Sequence, residues 1–119
     1  MRRREGALVP LEIAILQSGM ELAHRGTVEA HGFALARELR DRHGAKRLTA
    51  YGTLYKALER LEQRGYLESR WEDPVAAADQ RRPRRRFYRV TALGERTVHD
   101  AAAAQAASAS SRPAAAVPS

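Results

Sequence analysis

The sequence predicts a mainly α, α+β fold, one compact unit with tails at both ends. Three observations carry that prediction. Apolar residues recur at three- and four-residue steps in three successive stretches, two short alternating runs flank a long arginine-rich segment, and the chain closes in alanine. At 119 residues it has the length of one domain, and many of its 44% hydrophobic residues are alanines, so a lone copy buries little and dimerisation is expected. The absence of cysteine removes disulfides, thiolate zinc sites and cysteine nucleophiles. Lys+Arg 21 against Asp+Glu 14 gives a formal net charge of +7, which favours a polyanionic partner wherever the charges cluster.

Residues 1–7 read as a flexible basic N-terminus. Arg2, Arg3 and Arg4 are followed by Glu5 and by an apolar stretch broken at Pro10 and Glu12, which does not make a signal peptide. No run reaches the roughly 18 to 20 apolar residues of a membrane helix, so a soluble protein is expected, and the lack of cysteine fits a cytoplasmic address. The compact unit spans 8–94. Its first helix carries Leu8, Leu11, Ile15, Leu16, Met20 and Ala23 on one stripe, with Pro10 in the first turn. Ile13 falls off that stripe, which fits a subunit contact and a broad core face equally well. After a loop at His24–Glu29, a second helix runs from His31 to about Arg42, with Leu35, Ala36 and Leu39 inward and Gly44 as its stop.

Thr49 is placed to cap a third helix, whose core stripe is Leu54, Leu58 and Leu61 and whose end is Gly65. Tyr66–Trp71 and Phe87–Thr91 then read as two strands of a hairpin. The segment between them, Asp73–Arg84, is too long for a tight turn and reads as an irregular basic loop. Thr91 caps a closing helix that begins at Ala92, 95–107 forms a short dimerisation helix, and 108–119 reads as a disordered tail of Ala, Ser, Pro and Val with one Arg.

Helix, helix, helix, strand, basic loop, strand, helix is the order of a winged helix-turn-helix with an appended C-terminal dimerisation helix. At about 100° per residue, Thr49, Gly52, Lys56 and Gln63 lie opposite the leucine stripe of the third helix, with Thr53 and Arg60 beside them and Tyr51 and Tyr55 at the core edge. A small, hydroxylated first turn suits a helix that enters a major groove, and Gly52 lets the backbone approach closely despite costing about 0.5 to 1 kcal/mol of helix stability. Thr53 and Lys56 are expected to meet base edges, Thr49 and Tyr55 the phosphate backbone. Arg81, Arg82, Arg84, Arg85 and Arg86 repel one another at the hairpin, and a phosphate backbone relieves that repulsion. The DNA-binding set is therefore Thr49, Tyr51, Gly52, Thr53, Tyr55, Lys56, Arg60, Arg84, Arg85 and Arg86.

The stretch Tyr51–Ser69, YGTLYKALERLEQRGYLES, resembles the recognition helix and first strand of the PadR family. His31-Gly32-Phe33 is similar to the family's His-Gly-Tyr, and Arg86–Gly94, RFYRVTALG, to its second strand and helix start. The resemblance covers about residues 8 to 98 and implies a dimeric transcription factor, commonly a repressor, that binds double-stranded DNA. The sequence departs from the family at three points. Lys56 stands where a proline is usual, the loop before His31 is long, and the alanine-rich final helix offers no aromatic to stack a small-molecule effector, so no effector pocket carries over. His24, His31, His43 and His99 share no metal spacing, and neither a phosphate loop nor a nucleophile motif is present, so neither an enzyme nor a cofactor is expected. The alternative is a winged-helix adaptor whose basic wing meets an acidic protein.

Overall fold

The computed structural model describes residues 8–43 and 50–110. The basic N-terminus 1–7, the stop at Gly44, the cap at Thr49 and the tail beyond residue 110 lie outside the described residues. The elements in chain order are α1 (Pro10–His24), β1 (Ala30–His31), α2 (Gly32–His43), α3 (Tyr51–Gln63), β2 (Leu67–Trp71), α4 (Pro74–Asp79), β3 (Arg86–Val90) and α5 (Ala92–Ser110). The sheet is antiparallel in the order β1-β3-β2, with Ser69 opposite Tyr88 and Ala30 opposite the same tyrosine on the other edge. Two-residue β1 shows no alternation in the sequence. It forms because β3 presents an open edge where the chain passes on its way into α2.

The core is made by Ile15 and Leu16 of α1, Leu35 and Leu39 of α2, and Leu54, Leu58 and Leu61 of α3, closed by Leu67, Tyr88 and Val98. Glu12, only 2% exposed, ties two of these helices together. Its Oε1 accepts from the Val9 amide at 3.0 Å, capping α1, and its Oε2 accepts from Arg60 Nε of α3 at 2.9 Å. Burial pushes the Glu12 carboxyl up, but Arg60, the Val9 amide and Arg64 more than offset this and hold it below the ordinary value.

Thr91 caps α5 as expected and does a second job. Its Oγ1 accepts from the Gly94 amide at 3.0 Å and donates to the Gly65 carbonyl at 2.6 Å. Gly65 has φ +83, the left-handed conformation that ends α3, so the hydroxyl joins the start of α5 to the turn between α3 and β2. The helix runs to Ser110, three residues beyond the expected limit, in keeping with the high helix propensity of alanine.

The segment between the strands is not the irregular loop that the sequence reading expects. Asp73 Oδ1 accepts from the Val75 amide at 2.8 Å, Pro74 occupies the first turn, and α4 follows with Ala77 buried. Asp-Pro before alanines is a helix-start signal, which the length and charge of the segment conceal. The insertion is anchored by Glu72, which takes Arg82 in a bidentate pair at 2.5 and 2.8 Å and the Arg85 amide at 3.2 Å. The Arg82 guanidinium first, then the Arg85 amide and charge, lower the Glu72 carboxyl to about 2 against the cost of burial.

Leu58→Ala, at a fully buried site on α3, is expected to cost about 2–5 kcal/mol in urea unfolding, and Glu12→Gln about 1–3 kcal/mol. Glu12 and Glu72 both titrate lower in the folded chain than in the unfolded one, so their stabilisation is present above about pH 4.5 and is lost as pH falls through their folded values. Fluorescence of Trp71, the sole tryptophan, should therefore report loosening of the hairpin between about pH 4.5 and 2, and Glu72→Gln should abolish most of that change.

Candidate nucleic-acid interface

Burial of Leu54, Ala57, Leu58 and Leu61 turns the opposite face of α3 to solvent, where Tyr51, Gly52, Thr53, Tyr55 and Lys56 are all exposed. A Cβ at Gly52 would have nothing within 4 Å, so the glycine leaves free space above the helix surface rather than relieving a clash inside the fold. The N-cap position is Ala50 and makes no side-chain cap, which leaves the first-turn amides without a side-chain acceptor among the described residues. The helix thus begins one residue later than a Thr49 cap implies. Arg60 lies apart from the other site residues in its bonding, because its Nε is held by Glu12. Glu59, exposed two turns into α3, puts a carboxylate on the polar face that the sequence reading did not weigh. It confines the region that can meet a polyanion closely to the N-terminal two turns.

The arginines divide sharply by partner. Arg82 is taken by Glu72, Arg70 by Glu29 at 2.8 and 2.9 Å, and Arg89 by Glu68. Arg86 lies 3.6 Å from Glu62 and over the Trp71 ring at 5.0 Å. Arg84 stacks on the same ring at 5.3 Å, so Trp71, still half exposed, is a shelf for two guanidinium groups rather than a hydrophobic cap at the root of the wing. Among the described residues, the side chains of Arg84, Arg85, Lys56 and Arg37 have no carboxylate partner. Their charge is left for solvent or a ligand.

These elements converge on one open cleft of about 510 Å³ between the start of α2, the first half of α3 and the wing. Tyr55, Trp71, Arg84, Arg85, Arg86 and His31 all line it. Gly32 leaves room for the Tyr55 ring to lie against the start of α2, since a Cβ there would come within 2.8 Å of Tyr55 Cζ and the ring would have to shift. Along the rim, Phe33 stacks on Tyr51 at 6.5 Å, Tyr51 on Tyr55 at 6.5 Å, and Arg37 sits over Phe33 at 5.3 Å. Phe33 and Arg37 were not among the expected contacts. Their signal was in the sequence, since Phe33 is an aromatic at a helix start where no core stripe needs it. His31 caps α2, its Nδ1 accepting from the Ala34 amide at 3.3 Å. Burial first, then Arg85, Arg82 and Arg37, lower its pKa and keep the ring neutral.

Among the described residues no group of three metal-ligating side chains occurs, and no helix is long and apolar enough to cross a membrane. The family model for the transcriptional regulator PadR-like family matches residues 21–100. A transcriptional regulator from Clostridium thermocellum has a similar fold, with a TM-score of 0.63 at 22% identity over 84% of each chain. A PadR family transcriptional regulator from Eggerthella lenta has a TM-score of 0.59 at 21% identity, over 92% of this chain and 91% of that one. No curated protein matches the sequence. At such identities the two structures establish the shared winged helix, and the family match establishes kinship, which makes the protein a regulator and not an enzyme. The chain belongs to the PadR-like family of transcriptional regulators.

Proposed function

We propose that the protein binds double-stranded DNA sequence-specifically as a homodimer, on a pseudo-palindromic operator, and acts as a repressor in the bacterial cytoplasm. One observation carries the reading. The exposed N-terminal half of α3 and the unpaired Arg84 and Arg85 flank the same cleft, so a groove-reading face and a phosphate-seeking wing stand side by side. Thr53 and Lys56 read base edges, while Tyr51, Tyr55, Arg84 and Arg85 hold the backbone. Gly52 permits close approach, and Thr49 would add a backbone contact ahead of the helix. Arg60 and Arg86 contribute long-range positive potential while bonded to Glu12 and paired with Glu62.

The homodimer reading is supported by α5, whose Ala102–Ser108 are exposed over two turns beyond the core. A second copy is the surface that such a segment needs, and half-buried Ile13 of α1 can share it. Repression is the mode the family resemblance implies, since an occupied operator excludes other proteins.

Thr53→Ala and Lys56→Ala are each expected to cost about 1–3 kcal/mol on the operator, and Thr53→Ala much less on scrambled duplex. Replacing Arg84 and Arg85 together by alanine should weaken operator and scrambled duplex alike and flatten the salt slope by about one unit per lost contact. Binding isotherms across a salt series check both. If the arginine pair leaves affinity and slope untouched, the acidic-protein adaptor becomes the better reading. Light scattering should give a dimer for the full chain and a monomer after truncation at Gly94, and footprinting should show half-sites about 10 base pairs apart, or a multiple of it.

A further inference from the structure

The cleft between α2, α3 and the wing has a chemistry that the readout of bases does not use. Its walls offer donors almost exclusively: the guanidinium groups of Arg84 and Arg85, the Tyr55 hydroxyl and the His31 ring. The carboxylate behind it, Glu72, is fully engaged by Arg82 and the Arg85 amide. The major-groove edge of a base pair presents a donor beside its acceptors, whereas a phosphodiester presents acceptors only. His31 is moreover set in one tautomer. Because Nδ1 accepts from the Ala34 amide, the neutral ring carries its proton on Nε2, and among the described residues that N–H has no acceptor. Tyr55 Oη likewise has none among the described residues, and lies against Gly32 at the positive end of the 12-residue α2.

The position suits the same ligand. A duplex whose major groove receives α3 and whose adjacent minor groove meets the wing must pass the strand that separates the two grooves between them. That path is the cleft. We propose that it is a backbone clamp, in which one phosphodiester of the bound duplex accepts from His31 Nε2–H and the Tyr55 hydroxyl and is neutralised by Arg85 and Arg84. This rests on the DNA-binding reading above. It adds to that reading a non-arginine anchor at the residue that caps α2, and a pH dependence.

The groups facing His31 fix the sign of that dependence. Arg37 on α2 and Arg82 and Arg85 on the wing disfavour the imidazolium, Glu72 at the end of β2 favours it, Arg84 and Arg86 line the same cleft, the Ala34 amide donates to Nδ1, and burial pushes the Tyr88 hydroxyl up so that it stays neutral. A phosphate placed among them favours the imidazolium, whose Nδ1 gives up the long 3.3 Å bond from the Ala34 amide to take the proton, so binding takes up a fraction of a proton and tightens as pH falls from 8 to 6.

His31→Asn separates the two roles of the ring, since asparagine still caps a helix but does not reach into the cleft. With a mixed-sequence duplex as probe, H31N should bind roughly three- to tenfold more weakly than wild type and lose the tightening at low pH, with its melting temperature unchanged. In the wild type, the His31 imidazole NMR signal, assigned by its loss in H31N, should titrate at higher pH with duplex bound than without. A wild type that binds duplex with H31N equal to it at every pH, or a His31 midpoint that duplex does not move, would overturn the clamp and leave the DNA reading standing. A wild type that fails to bind duplex at all would overturn both.

Discussion

The burial of one apolar stripe on α3 is the constraint from which the rest follows. Leu54, Leu58 and Leu61 are 0–1% exposed, and a helix that places three leucines inward has no freedom left over which residues face out. Glu12 removes the remaining uncertainty of rotation by gripping Arg60 from α1. Gly32 removes that of distance by letting the Tyr55 ring lie against the start of α2. What emerges on the outer side of the first two turns is small or hydroxylated, with a single lysine. A face of that kind is poorly suited to burial against protein and well suited to a groove.

The electrostatics are arranged by subtraction. A chain with 21 basic residues could present a diffuse positive surface, yet Glu12, Glu29, Glu62, Glu68 and Glu72 each draw one arginine into the fold. Exposed pairs of this sort add little stability singly, so their consequence lies in where charge is left over. Among the described residues it is left at Arg84 and Arg85, which line the cleft, at Arg37 and Lys56 on α2 and α3, and elsewhere at residues such as Arg64, Arg81 and Arg96. Glu72 has the largest part in this. By taking Arg82 and the Arg85 amide it fixes the path of the wing while leaving the Arg85 side chain free of any carboxylate among the described residues.

Much of this was legible in the sequence because it depends on local rules. The leucine spacing gave the rotation of α3, Gly65 its end, Thr91 the start of α5, and the arginine run the wing. The missing parts depend on contacts between distant positions. The two residues of β1 carry no periodicity and are strand only because β3 is beside them. The partners of Arg60 and Arg82 are 48 and 10 residues away, so neither arginine could be sorted as free or bound from its neighbours alone. Helix α4 was hidden for another reason, since the length and charge of Asp73–Arg84 point to a loop while Asp73 and Pro74 together start a helix.

The central claim is that the outer face of α3 and the cleft beside it receive a duplex together. Amide chemical-shift mapping of the full-length protein with a duplex selected from a random library addresses it most directly. The account predicts that shifts concentrate in Tyr51–Lys56, in His31–Phe33 and in Arg84–Arg86, with Leu54 and Leu58 reporting only through their neighbours. Shifts confined to α4 or to α5, with Gly52, Thr53 and Lys56 unmoved, would contradict it.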